Sequence, residues 1–440
     1  YIPRIGHFEQ YFKSFLSDCN ILYLHQLSGL KDNKSSYGLQ SLIKSHFMHK
    51  TCLFMGSLPP QSLFFLRLEN AFLLSQKDTF IEIVSEYDNL ENDLLMWCRF
   101  KGEEFLHKQM PHKDSKERFI YTLRKCSHTR FSTYTNPHIA PDRQGLAPYG
   151  VQVESASPDY HFTYICDEEI FSPYIEPIYE DAKKTQWNTS SDIKWQEIPL
   201  FSPALQFAIA QIMTYLVENE FSALYIPSRF LSQISPYFTA VPLLLSSIIG
   251  DEARHIESFI KRANATGLGV QYSTLTTQQS LYSLYKEKDY FKSSFLLHIM
   301  GEGTFIDLLR FLEESFRALG DEASAHLLYL ARRDESRHVA YGMSNIKYAI
   351  AQNPAKIQAL KEVVFARKHY LDTQSSESSL LLESMAILRG GGEEHILRGF
   401  EEVLELKKKM EKNRTNRLIE CGIDEELAID LSKAHTPNFM

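Results

Sequence analysis

The chain has 440 residues, 44% of them hydrophobic and 23% charged, with a formal net charge of −8. This is the balance of an ordinary folded protein; it excludes a disordered chain and offers no basic footprint for nucleic acid. The six cysteines form no Cys-x-x-Cys pair, which excludes a thiolate zinc site and a disulfide framework, and no apolar run nears the roughly 18 residues of a membrane span.

A reducing, cytoplasmic setting is therefore expected. The start, Tyr1-Ile2-Pro3-Arg4, has neither an initiator Met nor a signal-peptide apolar region and reads as trimmed. The length favours more than one unit. Residues 1–125 form a small region expected to be mixed α/β. Phe8 to Leu30 and Tyr37 to Leu58 carry helix-like spacing, while Phe72-Leu73-Leu74 and Phe80 to Val84 read as short strands. Glu104-Phe105-Leu106-His107 matches Glu-x-x-His, but a chain of this size yields about one such match by chance, and a solvated helix face is the favoured reading.

Residues 126–200, rich in Pro, Ser, Tyr and Asn, read as an irregular connector packing on a larger body. Cys126, His128, His138 and His161 have no ligand-like spacing. Helical character from Tyr179 to Lys184 leads into Trp187 and Trp195, expected to be hydrophobic anchors.

From residue 201 to residue 440 the pattern is helical. Ser202-Pro203 is an N-cap with proline at the first helical position, and Pro227 is expected to end or kink the helix. Leu216, Met213 and Ile209 lie four, seven and eleven residues before Glu220, so Glu220 falls on the apolar stripe and Glu218 does not. A second helix, starting near Pro242, carries Leu245, Ile248, Glu252, His255 and Phe259 on one face. A polar crossing from Ala265 to Gln279 is long enough to run the length of a bundle. The third helix, near Asp289 to Leu319, places Glu302 among Phe295, Ile299 and Phe305, with Gly320 as its stop and Asp321 as the next cap. The fourth, running toward Pro354, aligns Leu328, Ala331, Glu335 and His338. A further helical stretch, Glu394 to Met410, follows the Gly390-Gly391-Gly392 break and reads as packing on the bundle.

The order along four helices is thus Glu, Glu-x-x-His, Glu, Glu-x-x-His. Thirty-two residues separate Glu220 from Glu252 and thirty-three separate Glu302 from Glu335, which suggests two similar helical hairpins. Residues three apart share a helical face, so each Glu-x-x-His pair can grip one ion. Four carboxylates and two imidazoles suit two first-row divalent ions, iron or manganese. Asp251 and Asp334, next to the ligand glutamates, are placed to accept the free ring N–H of a ligand histidine.

From about Tyr179 to Met440, roughly 260 of the 440 residues, the chain resembles the ferritin-like di-iron carboxylate proteins, in particular their bacterial oxygenase-like branch. The resemblance is carried by Asp251-Glu252-Ala253-Arg254-His255 and Asp334-Glu335-Ser336-Arg337-His338. The segments Gln186-Trp187-Asn188, Asp192-Ile193-Lys194-Trp195 and His435-Thr436-Pro437-Asn438-Phe439-Met440 add to it. It implies a mainly α fold, a ferritin-like four-helix bundle with a crossover connection and extra helices. It also implies Glu220, Glu252, His255, Glu302, Glu335 and His338 as ligands of two Fe ions, or of Mn or a mixed pair. The implied function is an O2-activating oxygenase or oxidase that hydroxylates, N-oxygenates or desaturates a small or carrier-bound substrate. Its electrons come from an external donor, and a homodimer is expected. Arylamine N-oxygenases of the superfamily carry a further histidine where this chain has Ala331; His298, one turn before Glu302, is a substitute candidate, with a core histidine as the favoured reading. Gly301, Gly303 and Gly342 suit either open space or close helix packing. Tyr225 and Tyr341 lie near enough for a radical role, with core packing favoured. Catalytic residues beyond the ligands are not legible. The alternative functions are a metal-binding or ferroxidase-type protein and a radical-generating subunit without its own organic substrate.

Overall fold

A computed structural model describes residues 50–110, 118–132, 134–374 and 379–435. The chain divides into two compact units, residues 1–131 and 132–440.

The first unit is α/β. Strands β1 (Lys50–Gly56), β2 (Phe80–Ser85), β3 (Glu104–Gln109) and β4 (Phe119–Arg124) form a sheet in the order β1-β2-β4-β3. The β1–β2 pair is parallel and the other two pairs are antiparallel. Parallel neighbours need a crossover, supplied by helix α1 (Ser62–Leu74), while α2 (Glu91–Lys101) leads from β2 to β3. Ile81 and Ile83 alternate into the core, where they meet Phe64, Leu68, Phe72, Leu94 and Trp97.

Three expectations for this unit are corrected. Phe72-Leu73-Leu74 is the end of α1, because Phe64, Leu68 and Phe72 recur every four residues and bury one helical face. Lys50–Gly56, inside the stretch read as helical to Leu58, is a strand because β2 offers it a complete ladder. Most of that stretch, and all of Phe8 to Leu30, lie outside the described residues. Glu104 and His107 are on strand β3, since Gly102 at φ 73° ends α2 just before them. Glu104 pairs with Arg124 at 2.6 Å across the β3–β4 ladder.

The second unit is helical: α3 (Ile175–Lys184), α4 (Pro203–Leu231), α5 (Ala240–Asn264), α6 (Leu275–Tyr285), α7, α8 (Glu322–Gln352), α9 (Lys356–Gln374), α10 (Ser379–Gly390), α11 (Ile396–Glu420) and α12 (Glu425–His435). Helix α7 is continuous through Tyr290–Ser294, a π segment Phe295–Glu302 and Gly303–Ala318. Helices α4 and α5 pack as one pair and α7 and α8 as the other, and together they make a four-helix bundle. The connection from α5 to α7 holds a helix of its own, α6, where the sequence suggested only a polar crossing.

Local chemistry sets these boundaries. Ser202 Oγ accepts from Leu205 N, with Pro203 at the first helical position. Asp289 caps Lys292 N at 2.9 Å, and Asp321 caps Ser324 N at 2.9 Å after Gly320 turns the chain at φ 75°. Pro227 does not end α4. Its ring removes one backbone donor, yet the helix continues to Leu231 with Ile226 and Phe230 buried on either side of it.

Two apolar clusters line the bundle interior. One gathers Phe230, Leu245, Ile248, Phe295 and Ile346; the other gathers Leu216, Phe259, Leu309, Phe316 and Leu328. Residues before α4 also enter these cores through Ile170, Ile175, Trp187 and Ile193. Among the described residues no helix is long and apolar enough to cross a membrane.

Candidate metal centre

Glu220 on α4, Glu252 and His255 on α5, Glu302 at the end of the π segment, and Glu335 and His338 on α8 all point into the middle of the bundle and are all buried. They form two groups: Glu220, Glu252, His255 and Glu335 in one, Glu252, Glu302, Glu335 and His338 in the other. Within each group the ligand atoms lie within 4.8 Å of one another. Glu252 and Glu335 belong to both. Each group has one carboxylate of its own, one imidazole and the two shared carboxylates, so the helical hairpins contribute equivalent sets.

Both imidazoles turn Nδ1 inward. His255 Nδ1 is 3.5 Å from Glu220 and Glu252 and 3.3 Å from Glu335; His338 Nδ1 is 3.0 Å from Glu252 and 3.5 Å from Glu335. The outward Nε2 atoms reach aspartates on the opposite helix: His255 to Asp334 and His338 to Asp251, each at 3.3 Å. Arg337 donates to both aspartates, at 3.0 Å to Asp251 and 2.6 Å to Asp334, while Arg254 pairs with Asp251. The two acidic neighbours of the motifs are thereby tied into one buried network.

Trp187 joins this network. It is a hydrophobic anchor, buried in the core, but its Nε1 also donates to Asp334 at 2.7 Å and its ring stacks beside His255 at 6.3 Å. Only the anchoring half of that role was legible, because a tryptophan in a Pro- and Ser-rich stretch carries no sign of its hydrogen-bond partner.

The electrostatics are strained without a cation. Burial, then the Glu252 and Glu335 carboxylates, pushes Glu220 well above the usual carboxylate range. Burial likewise raises Glu302, against the opposing pull of His298. Glu252 moves the other way: burial is outweighed by the neighbouring Glu220, His255 and His338 side chains. Burial disfavours protonated imidazoles, yet the carboxylates around His255 and His338 hold both well above the ordinary histidine value. Eight buried ligand atoms have no hydrogen bond: one oxygen each of Glu220 and Glu302, both oxygens of Glu252 and Glu335, and Nδ1 of each histidine. Native interiors rarely leave such atoms unsatisfied. Two divalent ions would satisfy all eight.

His298 is not in either group. Its Nδ1 is 2.7 Å from Glu302 Oε2, and its side chain fills the space over Gly342, where an added Cβ would stand 2.4 Å from His298 Cβ. Gly303 likewise admits Arg417, whose Nε is 2.6 Å from the position of an added Cβ. Both glycines serve close packing. A small cavity lies on the Glu220–Glu302 side of the cluster, walled by Ala223, Leu297, Gly301 and Phe305, with Asn219 and Ser222 at its polar edge. Tyr341 is buried, hydrogen-bonded to Tyr290 and to Ile170 O, whereas Tyr225 is 54% exposed. His138 and His161 pair with Asp167 and Asp159.

A family model described as "Protein of unknown function (DUF455)" matches residues 208–373. No curated protein matches the chain. Among solved structures, a variant R2-like ligand-binding oxidase with anaerobically reconstituted Mn/Fe cofactor is 16% identical, with a TM-score of 0.42 over 57% of this chain and 94% of that one. A second variant, with aerobically reconstituted Mn/Fe cofactor, is 14% identical, with a TM-score of 0.39 over 58% of this chain and 93% of that one. An R2-like ligand-binding oxidase after photoconversion is 16% identical, with a TM-score of 0.35 over 60% of this chain and 90% of that one. In this chain Glu, Glu-x-x-His, Glu and Glu-x-x-His meet inside a four-helix bundle as two groups able to hold a metal ion.

Proposed function

We propose that the chain binds two divalent first-row ions, iron, manganese or one of each, and works as an O2-dependent oxidase or oxygenase on a small or carrier-bound organic molecule. The observation that carries this reading is the set of eight buried, unsatisfied ligand atoms on six residues. Charge supports the stoichiometry: four carboxylates balance two dications, with both imidazoles neutral. Glutamate and imidazole ligands favour iron or manganese over ions that prefer thiolates.

When bound, such a pair supplies electrons to dioxygen and an oxidising equivalent to the substrate. The chain's own residues do the rest. Asp334 and Asp251 hold the outward N–H of His255 and His338, which fixes each ring with Nδ1 inward. Glu252 and Glu335, reaching both groups, set the separation of the two positions. Leu297, Phe305 and Ala223 give the adjoining cavity apolar walls, and its volume of about 20 Å³ admits a molecule no larger than water or dioxygen.

The test is metal analysis of anaerobically purified protein, followed by oxygen exposure with a panel of metabolites. Two ions per chain and substrate-dependent oxygen consumption are expected, with both lost in Glu335→Ala. Normal metal content and turnover in that variant would sink the proposal.

A further inference from the structure

Three glycines lie beside the carboxylate cluster, and their surroundings differ. Arg417 occupies the space over Gly303, and His298 the space over Gly342. Gly301 is left open: an added Cβ there would meet, beyond its own helical turns, only Leu296 O, at an ordinary 3.4 Å. Gly301 belongs to the π segment and precedes Glu302. Residues four apart share a helical face, so Leu297, Gly301 and Phe305 make a stripe on α7 with a notch one side chain deep. Ala223 on α4, three residues beyond Glu220, is a second small residue lining the same space. The cavity of about 20 Å³ beside Glu220 and Glu302 is this notch.

The walls decide what can occupy it. Leu297, Phe305 and Ala223 are buried; Leu297 and Ala223 belong to one apolar cluster of the bundle and Phe305 to the other. The polar residues at the edge have spent their donors on the carbonyls of their own helix. Asn219 Nδ2 donates to Tyr215 O at 2.7 Å, and Ser222 Oγ donates to Asn219 O at 2.9 Å. Because a carbonyl only accepts, that bond fixes the amide orientation and leaves Asn219 Oδ1 as the free atom. Outside the Glu220, Glu302 and Glu335 carboxylates, it is the one buried side-chain atom of the lining without a partner. A buried water makes about three hydrogen bonds, and an apolar cavity that cannot supply them stays dry. Such a space accepts a small apolar molecule instead.

We propose that the notch over Gly301 holds dioxygen, an apolar diatomic, against the carboxylate cluster, in a place too small for an organic molecule. Glu220 belongs to one group of ligands, Glu302 to the other and Glu335 to both, so an occupant borders the ligands of both ions at once. Gly301 sets the specificity of the notch by having no side chain, since a methyl group there would take up the space. The location rests on the cavity alone, and the identity of the ligand rests on the oxidase reading given above.

Crystals of the full chain, metal-free and manganese-loaded, pressurised with xenon test the cavity. A xenon atom among Leu297, Phe305 and Ala223 is expected, with no ordered water there before pressurisation. Gly301→Ala should lose the xenon and melt no lower than wild type, because the added methyl meets no obstruction. The anaerobically iron-loaded variant should need at least about threefold more dioxygen than wild type for half-maximal oxidation, as expected for lost binding. Absence of xenon from the wild type, or an ordered water in its place, overturns the proposal. A marked fall in the melting temperature of Gly301→Ala overturns it too, by showing that the glycine serves close packing. Wild-type dioxygen dependence in a folded Gly301→Ala that has lost xenon overturns the dioxygen assignment. A wild type that takes xenon but binds no metal strikes the oxidase reading and leaves the apolar site standing.

Discussion

Asp251 on α5 supports His338 on α8, at 3.3 Å from its Nε2, and the reverse pair, Asp334 on α8 and His255 on α5, has the same separation. Each motif thus orients the other motif's histidine, and the two helices are tied in register by these crossed Asp–His contacts as well as by apolar packing.

This exchange predicts where a support mutation is felt. Asp251→Asn removes the carboxylate behind His338 and should weaken the ion held by Glu302 and His338 about 10–100-fold. The ion at Glu220 and His255 should be affected less. Asp334→Asn should show the reverse selectivity. Equilibrium dialysis against a chelator, reading metal per chain, distinguishes this from an uncrossed arrangement.

Glu252 and Glu335 serve both groups, while Glu220 and Glu302 each serve one. Glu252→Ala and Glu335→Ala should therefore lose both ions, and Glu220→Ala and Glu302→Ala should retain about one per chain. Elemental analysis of folded variants checks the ratio. His298→Gln should retain two ions, since His298 contacts Glu302 and belongs to neither group. Loss of an ion there would make His298 a ligand.

The helical half of the molecule was legible because burial imposes a period. Walking back from Glu220 through Leu216, Met213 and Ile209 found a stripe, and the structure buries all four. The first unit was harder: Phe72 and Phe80 sit in similar apolar runs, and only the partners decide that one is helix and the other strand. A short apolar run carries no period of its own. Trp187 and the crossed aspartates were invisible in their pairing because they depend on contacts between distant segments, 147 residues apart for Trp187 and Asp334. The π segment before Glu302 likewise has no reliable sequence mark.

Two glycines make opposite predictions. At Gly342 an added Cβ would meet His298 Cβ at 2.4 Å, while at Gly250 nothing lies within 4 Å. Gly342→Ala should cost about 1–3 kcal/mol through overpacking. Gly250→Ala, exposed within α5, should gain about 0.5–1 kcal/mol from reduced unfolded-state entropy. Denaturant melts of both variants, with metal content held equal, measure the pair.

The buried ion pair between Arg262 on α5 and Asp321, the cap of α8, ties the two hairpins together at 2.9 Å, with both side chains fully buried. Asp321 also accepts from Ser324 N and Oγ, so one carboxylate starts α8 and neutralises a guanidinium. Burial lowers the Arg262 pKa and Asp321 opposes the shift, which marks the pair as mutually dependent. Removing one partner leaves the other charged in the interior, so Asp321→Ala should cost about 3–5 kcal/mol. Part of that loss is the cap, about 1 kcal/mol. The double variant Arg262→Met/Asp321→Asn removes the charge and keeps a capping side chain, and should recover most of the stability. A double variant no more stable than Asp321→Ala alone would show that the guanidinium contributes through its contacts with Ser324 and the Phe316 ring rather than through charge balance.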